Sequence, residues 1–303
     1  MMPPGPATEA ELAIQAIDSP WRVPYDGALR TAPEQFTAPA TATGCKEQLQ
    51  EARKAIRPWQ RKLYAAKQYS VLLIFQALDA AGKDGAIREV FEDLDPVNVQ
   101  VCAFKRPTIN ELRHDFLWRT SCRLPERGEI AVFNRSYYEE VLTVRVHPEF
   151  LDAQYAGAPL DKDTLWPARY RAIREHERHL ATANTLILKF WLNVSPATQA
   201  RRFLERLDTP EKRWKFSMGD IRESRFREHY DEAVMRMFNE TSRPWAPWFC
   251  IPADDRWYLR WQIADIIGQA MAALPLAYPA PEDIPAEQAA EVRELLQNRI
   301  GKE

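Results

Sequence analysis

Gly82 and Lys83, in the run Val71–Ala86 (VLLIFQALDAAGKDGA), are the first residues whose types and spacing can do chemistry. A loop of small residues carrying Gly-Lys, set between a strand and a helix, can place backbone N–H groups, an ammonium and a helix N-terminus around a phosphate. The residues so placed are Asp79, Ala80, Ala81, Gly82, Lys83, Asp84 and Gly85. The pattern departs from the common G-x-x-x-x-G-K-[ST] loop at two positions. Ala77 stands at the first glycine and Asp84 at the hydroxyl residue. The lost hydroxyl is the usual side-chain ligand of magnesium, and Asp79 inside the loop is the available substitute, a candidate metal ligand.

Other residues have types that suit the same chemistry. The apolar run Ile130–Phe133 ends at Asn134-Arg135 and is followed by Glu139 and Glu140. Asparagine there orients a phosphate or a water but brings no negative charge; the two glutamates either supply it or complement a helix dipole. Lys105 and Arg106 directly follow another apolar run, and Arg202, Arg206 and Lys215 lead into a stretch that reads as a lid. Cations there can close over transferring phosphates, and the arginine fork pairs bidentately with their oxygens. Arg119, Arg123, Lys212 and Arg213 read as solvated helix faces. The five histidines have no zinc-like spacing, and there is no G-x-S-x-G nucleophile elbow.

The elements that must position these residues alternate. Apolar strands are expected at 71–77, 99–104, 130–133, 185–194 and 248–251. Helices are expected at 46–68 (bent or divided near Pro58), from Ala86, 108–121, from Tyr137, 167–183, from Ser195, 221–238, 257–272 and 286–299. The stretch 148–165 reads as a loop or insertion, and 208–220 as a mobile connection. This alternation calls for a parallel sheet with helices on both faces and ligands beyond the strands' C-terminal ends. Residues 1–45 read as an arm lying over a phosphotransferase domain at 46–274, with a lid at about 208–228 and a Pro/Ala/Glu-rich tail at 275–303.

A 303-residue chain with 46% hydrophobic and 28% charged residues has globular composition. A formal net charge of -2 gives no overall attraction to nucleic acid, so a polyanion site must come from local clustering. No apolar run approaches the ~20 residues of a membrane span. The N-terminus lacks the basic start and apolar core of a signal peptide. The four scattered cysteines read as reduced thiols. A cytoplasmic protein is expected.

Taken together, LDAAGKDG, FKRPT, HDFLWR, FNRSYYEEVL-VRVHPE, WKFS-x-x-D and APW-x-x-x-PADD-x-W resemble the polyphosphate kinase 2 family over roughly residues 50 to 272. The resemblance implies an α/β P-loop kinase fold (thymidylate-kinase-like), a central parallel sheet flanked by helices with a helical lid. It implies transfer of the terminal phosphoryl group of inorganic polyphosphate to AMP and/or ADP, giving ADP/ATP, reversible and Mg2+-dependent, with Mn2+ as a substitute. Guanine nucleotides are further candidate acceptors, and a homodimer or homotetramer is implied. By position it implies phosphate and metal roles for Asp79, Lys83 and Arg135. Lys105, Arg106 and Lys215 would contact polyphosphate, and Arg202 and Arg206 would assist at the lid. The ending NRSYYEEV resembles the subgroup, class III, that accepts both AMP and ADP. Leu78 stands where arginine is common in that subgroup, and Ser217-Met218-Gly219 departs from the commoner Asn-Pro. An ATP-dependent nucleoside monophosphate kinase and a catalytically weak polyphosphate-binding protein are the alternative readings.

Overall fold

The computed structural model describes residues 7–25, 31–39, 44–155, 161–280 and 285–300. Helix α1 (Glu9–Gln15) lies in the N-terminal arm, and α2 (Lys46–Ala66) leads into β1 (Ser70–Ala77). Then come α3 (Lys83–Val90), β2 (Val99–Ala103), α4 (Ile109–Leu112), α5 (Trp118–Ser121) and β3 (Ile130–Asn134). After β3 follow α6 (Thr143–Val146), α7 (Leu151–Tyr155), α8 (Lys162–Thr182) and β4 (Thr185–Asn193). The chain continues with α9 (Pro196–Asp208), α10 (Met218–Glu223), α11 (Arg227–Thr241) and β5 (Trp248–Pro252), then α12 (Arg256–Ala273) and α13 (Ala286–Ile300).

The five strands form one parallel sheet in the order β2-β3-β1-β4-β5. Val71–Phe75, Ile130–Phe133 and Leu186–Leu188 are buried without alternation, as strands covered on both faces must be. Helices α2, α3 and α12 pack together on one side, and α8 and α11 on the other. The chain leaves β1 toward β2 but leaves β4 toward β5. Connections that diverge in this way open a crevice beyond the strands' C-terminal ends. Parallel register brings Phe75 beside Asn134, and the Arg135 N–H donates to the Phe75 carbonyl at 3.0 Å. The loop after β1 and the segment after β3 therefore emerge side by side.

The N-terminal arm closes the far edge of the sheet. The Val23 N–H donates to the Trp248 carbonyl at 2.9 Å and the Cys250 N–H to the Trp21 carbonyl at 2.8 Å, which occupies the open edge of β5. Ile14, Trp21, Val23 and Phe36 are buried in the main core.

Several elements differ from their sequence expectation. Helix α1 was unforeseen; Thr8 caps it with Glu11 reciprocating. Helix α2 runs unbroken through Pro58. The helix expected at 108–121 is two, because the Asp115 carboxylate takes the Leu117 N–H at 3.0 Å and starts a new turn. Helix α8 begins five residues before Pro167, with Asp161 as its cap. Within the expected insertion 148–165, α7 is helical and 156–160 lie outside the described residues. The expected mobile stretch 208–220 holds a tight helical turn at Pro210–Lys215 and the start of α10.

Candidate active site

Strand β1 delivers Asp79 to the crevice, and the turn that follows runs through two left-handed residues, Ala80 (φ 63°) and Gly82 (φ 96°). Gly82 is the residue before α3, where φ is positive and a side chain would be strained. Because α3 starts at Lys83, its first-turn N–H groups have no intrahelical acceptors and its positive dipole end meets the crevice. Ala80 has a Cβ and still adopts this conformation, so something must hold it. Arg202 on α9 does so. Its guanidinium donates to the carbonyls of Ala80 (3.1 Å) and Ala81 (2.8 Å), and to those of Ala253 (2.7 Å) and Asp254 (3.2 Å) beyond β5. Burial, then the neighbouring Arg256, pulls its pKa down to about 10. Gln199, one turn earlier, donates to the Asp79 carbonyl at 2.8 Å.

Arg135 also has a positive φ, 66°. Its fork donates to Asp79 Oδ1 and Glu139 Oε2, each at 3.0 Å, so one guanidinium bridges carboxylates from two segments. Glu139, then Asp79, raises the arginine's pKa against the opposing effect of burial. Thr143 donates to the same Glu139 oxygen at 2.8 Å. Lys83 is half-buried; burial and the nearby Arg135 lower its pKa, while Glu139, Asp79 and Asp84 oppose them. The Asn134 amide donates to Asp84 Oδ1 at 2.8 Å. Glu140 faces the other way, buried in an ion pair with Arg169 at 3.1 Å.

A groove of about 620 Å³ runs along this loop, lined by ten cationic side chains against three carboxylates, Asp79, Asp84 and Glu205. That is a strongly positive channel in a protein whose formal net charge is -2. Of the residues singled out in sequence, Asp79–Gly85, Lys105, Asn134, Arg135, Arg202, Arg206 and Lys215 line it. Glu139 lines a smaller adjoining cavity of about 40 Å³ with Asp79, Arg135, Asp220 and Tyr230. Arg106 is exposed and lines neither. Sequence reading missed Arg88, Arg256 and Arg260, which also line the groove. Only their place beside recognised segments pointed to them, Arg256 being the variable position within PADD-x-W. Lys212, expected on a solvated face, lines the groove as well.

The stretch expected to form a lid is latched against this site. Arg206 meets Asp220 at 3.4 Å, and the Asp220 carboxyl is raised by burial and by Asp79. Glu223 accepts from Tyr230 and pairs with His147 at 2.7 Å. Among the described residues no group of three or more His, Cys, Asp or Glu side chains is arranged to hold a metal.

Residues 41–276 match the sequence pattern of the family described as Polyphosphate kinase 2. The chain is 48% identical over 242 residues to an ADP-polyphosphate phosphotransferase of Rhodopseudomonas palustris, covering 79% of this chain and 81% of that protein. It is 44% identical over 236 residues to an AMP/ADP-polyphosphate phosphotransferase of Meiothermus ruber, covering 78% and 84%. The crystal structure of a polyphosphate kinase 2 from Arthrobacter aurescens superposes with a TM-score of 0.79 at 34% identity, covering 90% of this chain and 95% of that one.

Proposed function

We propose for this chain, which belongs to the polyphosphate kinase 2 family, that it transfers the terminal phosphoryl group of inorganic polyphosphate to AMP and ADP, reversibly. The observation that carries the reading is the groove's ten cations against three carboxylates, ending at the Asp79–Arg135–Glu139 cluster. A repeating polyanion needs a continuous track of cations, and arginine forks and lysines along a channel provide one.

Arg135, held between two carboxylates, is fixed in orientation before substrate arrives. It and Lys83 meet charge on the transferring group without reorganising. The first-turn N–H groups of α3 serve phosphate oxygens in the same way. No covalent enzyme intermediate is required, since positioning and electrostatics suffice for phosphoryl transfer.

Magnesium fits the residues present. It binds through one or two carboxylates and fills the rest of its shell with water and phosphate oxygens. The groove offers Asp79 as ligand, with Asp84 alongside. When bound, the ion supplies charge neutralisation on the phosphates, and Mn2+ substitutes. Guanine nucleotides as further acceptors, a homodimer or homotetramer and a cytoplasmic location belong to the same reading.

Purified protein incubated with polyphosphate, magnesium and each of AMP, ADP, GMP and GDP, followed by phosphorus NMR, tests it. Nucleotide phosphorylation without ATP is expected. Phosphorylation of AMP from ATP alone would replace the reading by a monophosphate kinase, and salt-sensitive polyphosphate binding without turnover by a binding protein.

A further inference from the structure

The deepest charges in the molecule lie outside the groove. Lys189 on β4 and Glu177 on α8 are both fully buried and pair at 2.7 Å. The Lys189 ammonium also donates to the Tyr138 hydroxyl and to the Thr241 carbonyl, each at 2.8 Å, so all three of its protons are used. The other Glu177 oxygen accepts from the hydroxyls of Tyr137 (2.9 Å) and Tyr138 (2.8 Å). Burial and then Glu177 hold both phenols well above the ordinary tyrosine range, so they stay donors.

These contacts tie together two elements that meet at the active site. Tyr137 and Tyr138 fall between Arg135 and Glu139, and they anchor the backbone that carries both. Thr241 is the last residue of α11, whose first turn brings Arg227 and Tyr230 to the cavity shared with Asp79, Arg135 and Glu139. One buried ion pair therefore fixes the Arg135–Glu139 turn and the lid-bearing helix to the same point of the sheet. A buried pair of this kind adds little stability over apolar side chains of similar volume, so stability is a poor reason for its presence.

We infer that Lys189 and Glu177 are positioning residues for phosphoryl transfer, holding Arg135 and Glu139 in register with the lid helix. The inference rests on the phosphotransfer reading above. Its test is the apolar double substitution Lys189→Met/Glu177→Leu, which removes both charges together, with Tyr138→Phe as the mild companion. The folded fraction is measured by circular dichroism, and kcat per folded molecule and KM are measured with polyphosphate and ADP. The double variant is expected to fold, with kcat at least about tenfold lower and polyphosphate KM within about twofold of the parent, because Arg135 is the one displaced cation of the ten that line the groove. Tyr138→Phe is expected to lower kcat about threefold, again without moving polyphosphate KM. A merely structural pair would lower the folded fraction and leave kcat per folded molecule unchanged, and that result overturns the inference. If the double variant does not fold, an unchanged kcat in Tyr138→Phe overturns it just as well. The parent measured in parallel separates the two claims: an inactive parent sinks the phosphotransfer reading, whereas an active parent with unaffected variants sinks only this one.

Discussion

Arg202 gives the sharpest contrast between a substrate contact and a brace. The family resemblance implied that it assists at the lid, yet its guanidinium donates to four backbone carbonyls, at Ala80, Ala81, Ala253 and Asp254. In Arg202→Met these acceptors lose a charged donor. The two shortest bonds, 2.8 Å to Ala81 and 2.7 Å to Ala253, carry most of the loss, at about 1.5–3 kcal/mol each. The cost to stability is therefore about 3–6 kcal/mol. Catalysis per folded molecule is expected to suffer as well, because the left-handed Ala80 loses the partner that holds the loop. The assay is steady-state turnover of ADP with polyphosphate over a salt series, beside a thermal melt. The expected result is a kcat drop of about 100-fold or more, from a loop misplaced by about an ångström. Polyphosphate KM should keep the parent's salt slope. A raised KM with a flatter salt slope and an intact kcat is the signature of a lost phosphate contact, and would refute the brace.

Lys83→Ala and Asp79→Ala should each abolish ATP formation from ADP and polyphosphate while the melting temperature stays within about 4 °C of the parent, measured by luminescence and calorimetry. Lys83 also sets a pH dependence. Burial, then Arg135, holds its pKa below the ordinary 10.5, so its positive charge is lost as pH rises through that lowered value. The alkaline limb of kcat/KM should accordingly fall below 10.5 and move upward in Lys83→Arg. The same depression costs folding stability while Lys83 is charged, and the cost fades as pH climbs toward 10.5. Arg260, which lines the groove and stacks 4.7 Å from the Trp257 ring, should behave as Arg202 does not. Arg260→Gln is expected to raise polyphosphate KM about three- to tenfold and to flatten its salt dependence by about one counterion, with kcat unchanged.

Strand positions were legible because both faces of β1, β3 and β4 are buried, and such strands write apolar runs, unbroken at 71–75 and 130–133 and interrupted in β4 by Lys189. The loop was legible because Gly-Lys directly follows one of those runs. Helix boundaries were less so where a single side chain overrode propensity, as Asp115 does between α4 and α5 by taking the Leu117 N–H into a turn. The role of Arg202 was hidden for a different reason. Its partners are carbonyls, which leave no mark on the sequence, and two of them belong to residues more than 120 positions away. The pairing of Asp79 with Arg135, 56 residues apart, depends on β3 rather than β2 lying beside β1. The order of elements along the chain does not decide that. It is decided when β1 leads out to β2 at the edge and the chain returns to fill the gap with β3, which sets Asn134 opposite Phe75. Arg135 then leaves the sheet beside the strand that delivers Asp79, and its positive φ, anchored by the Phe75 carbonyl, aims the guanidinium at that carboxylate. The chemistry at this site thus follows from one register of a parallel sheet, and shifting that register by a residue would separate the two charges while leaving every motif in the sequence intact.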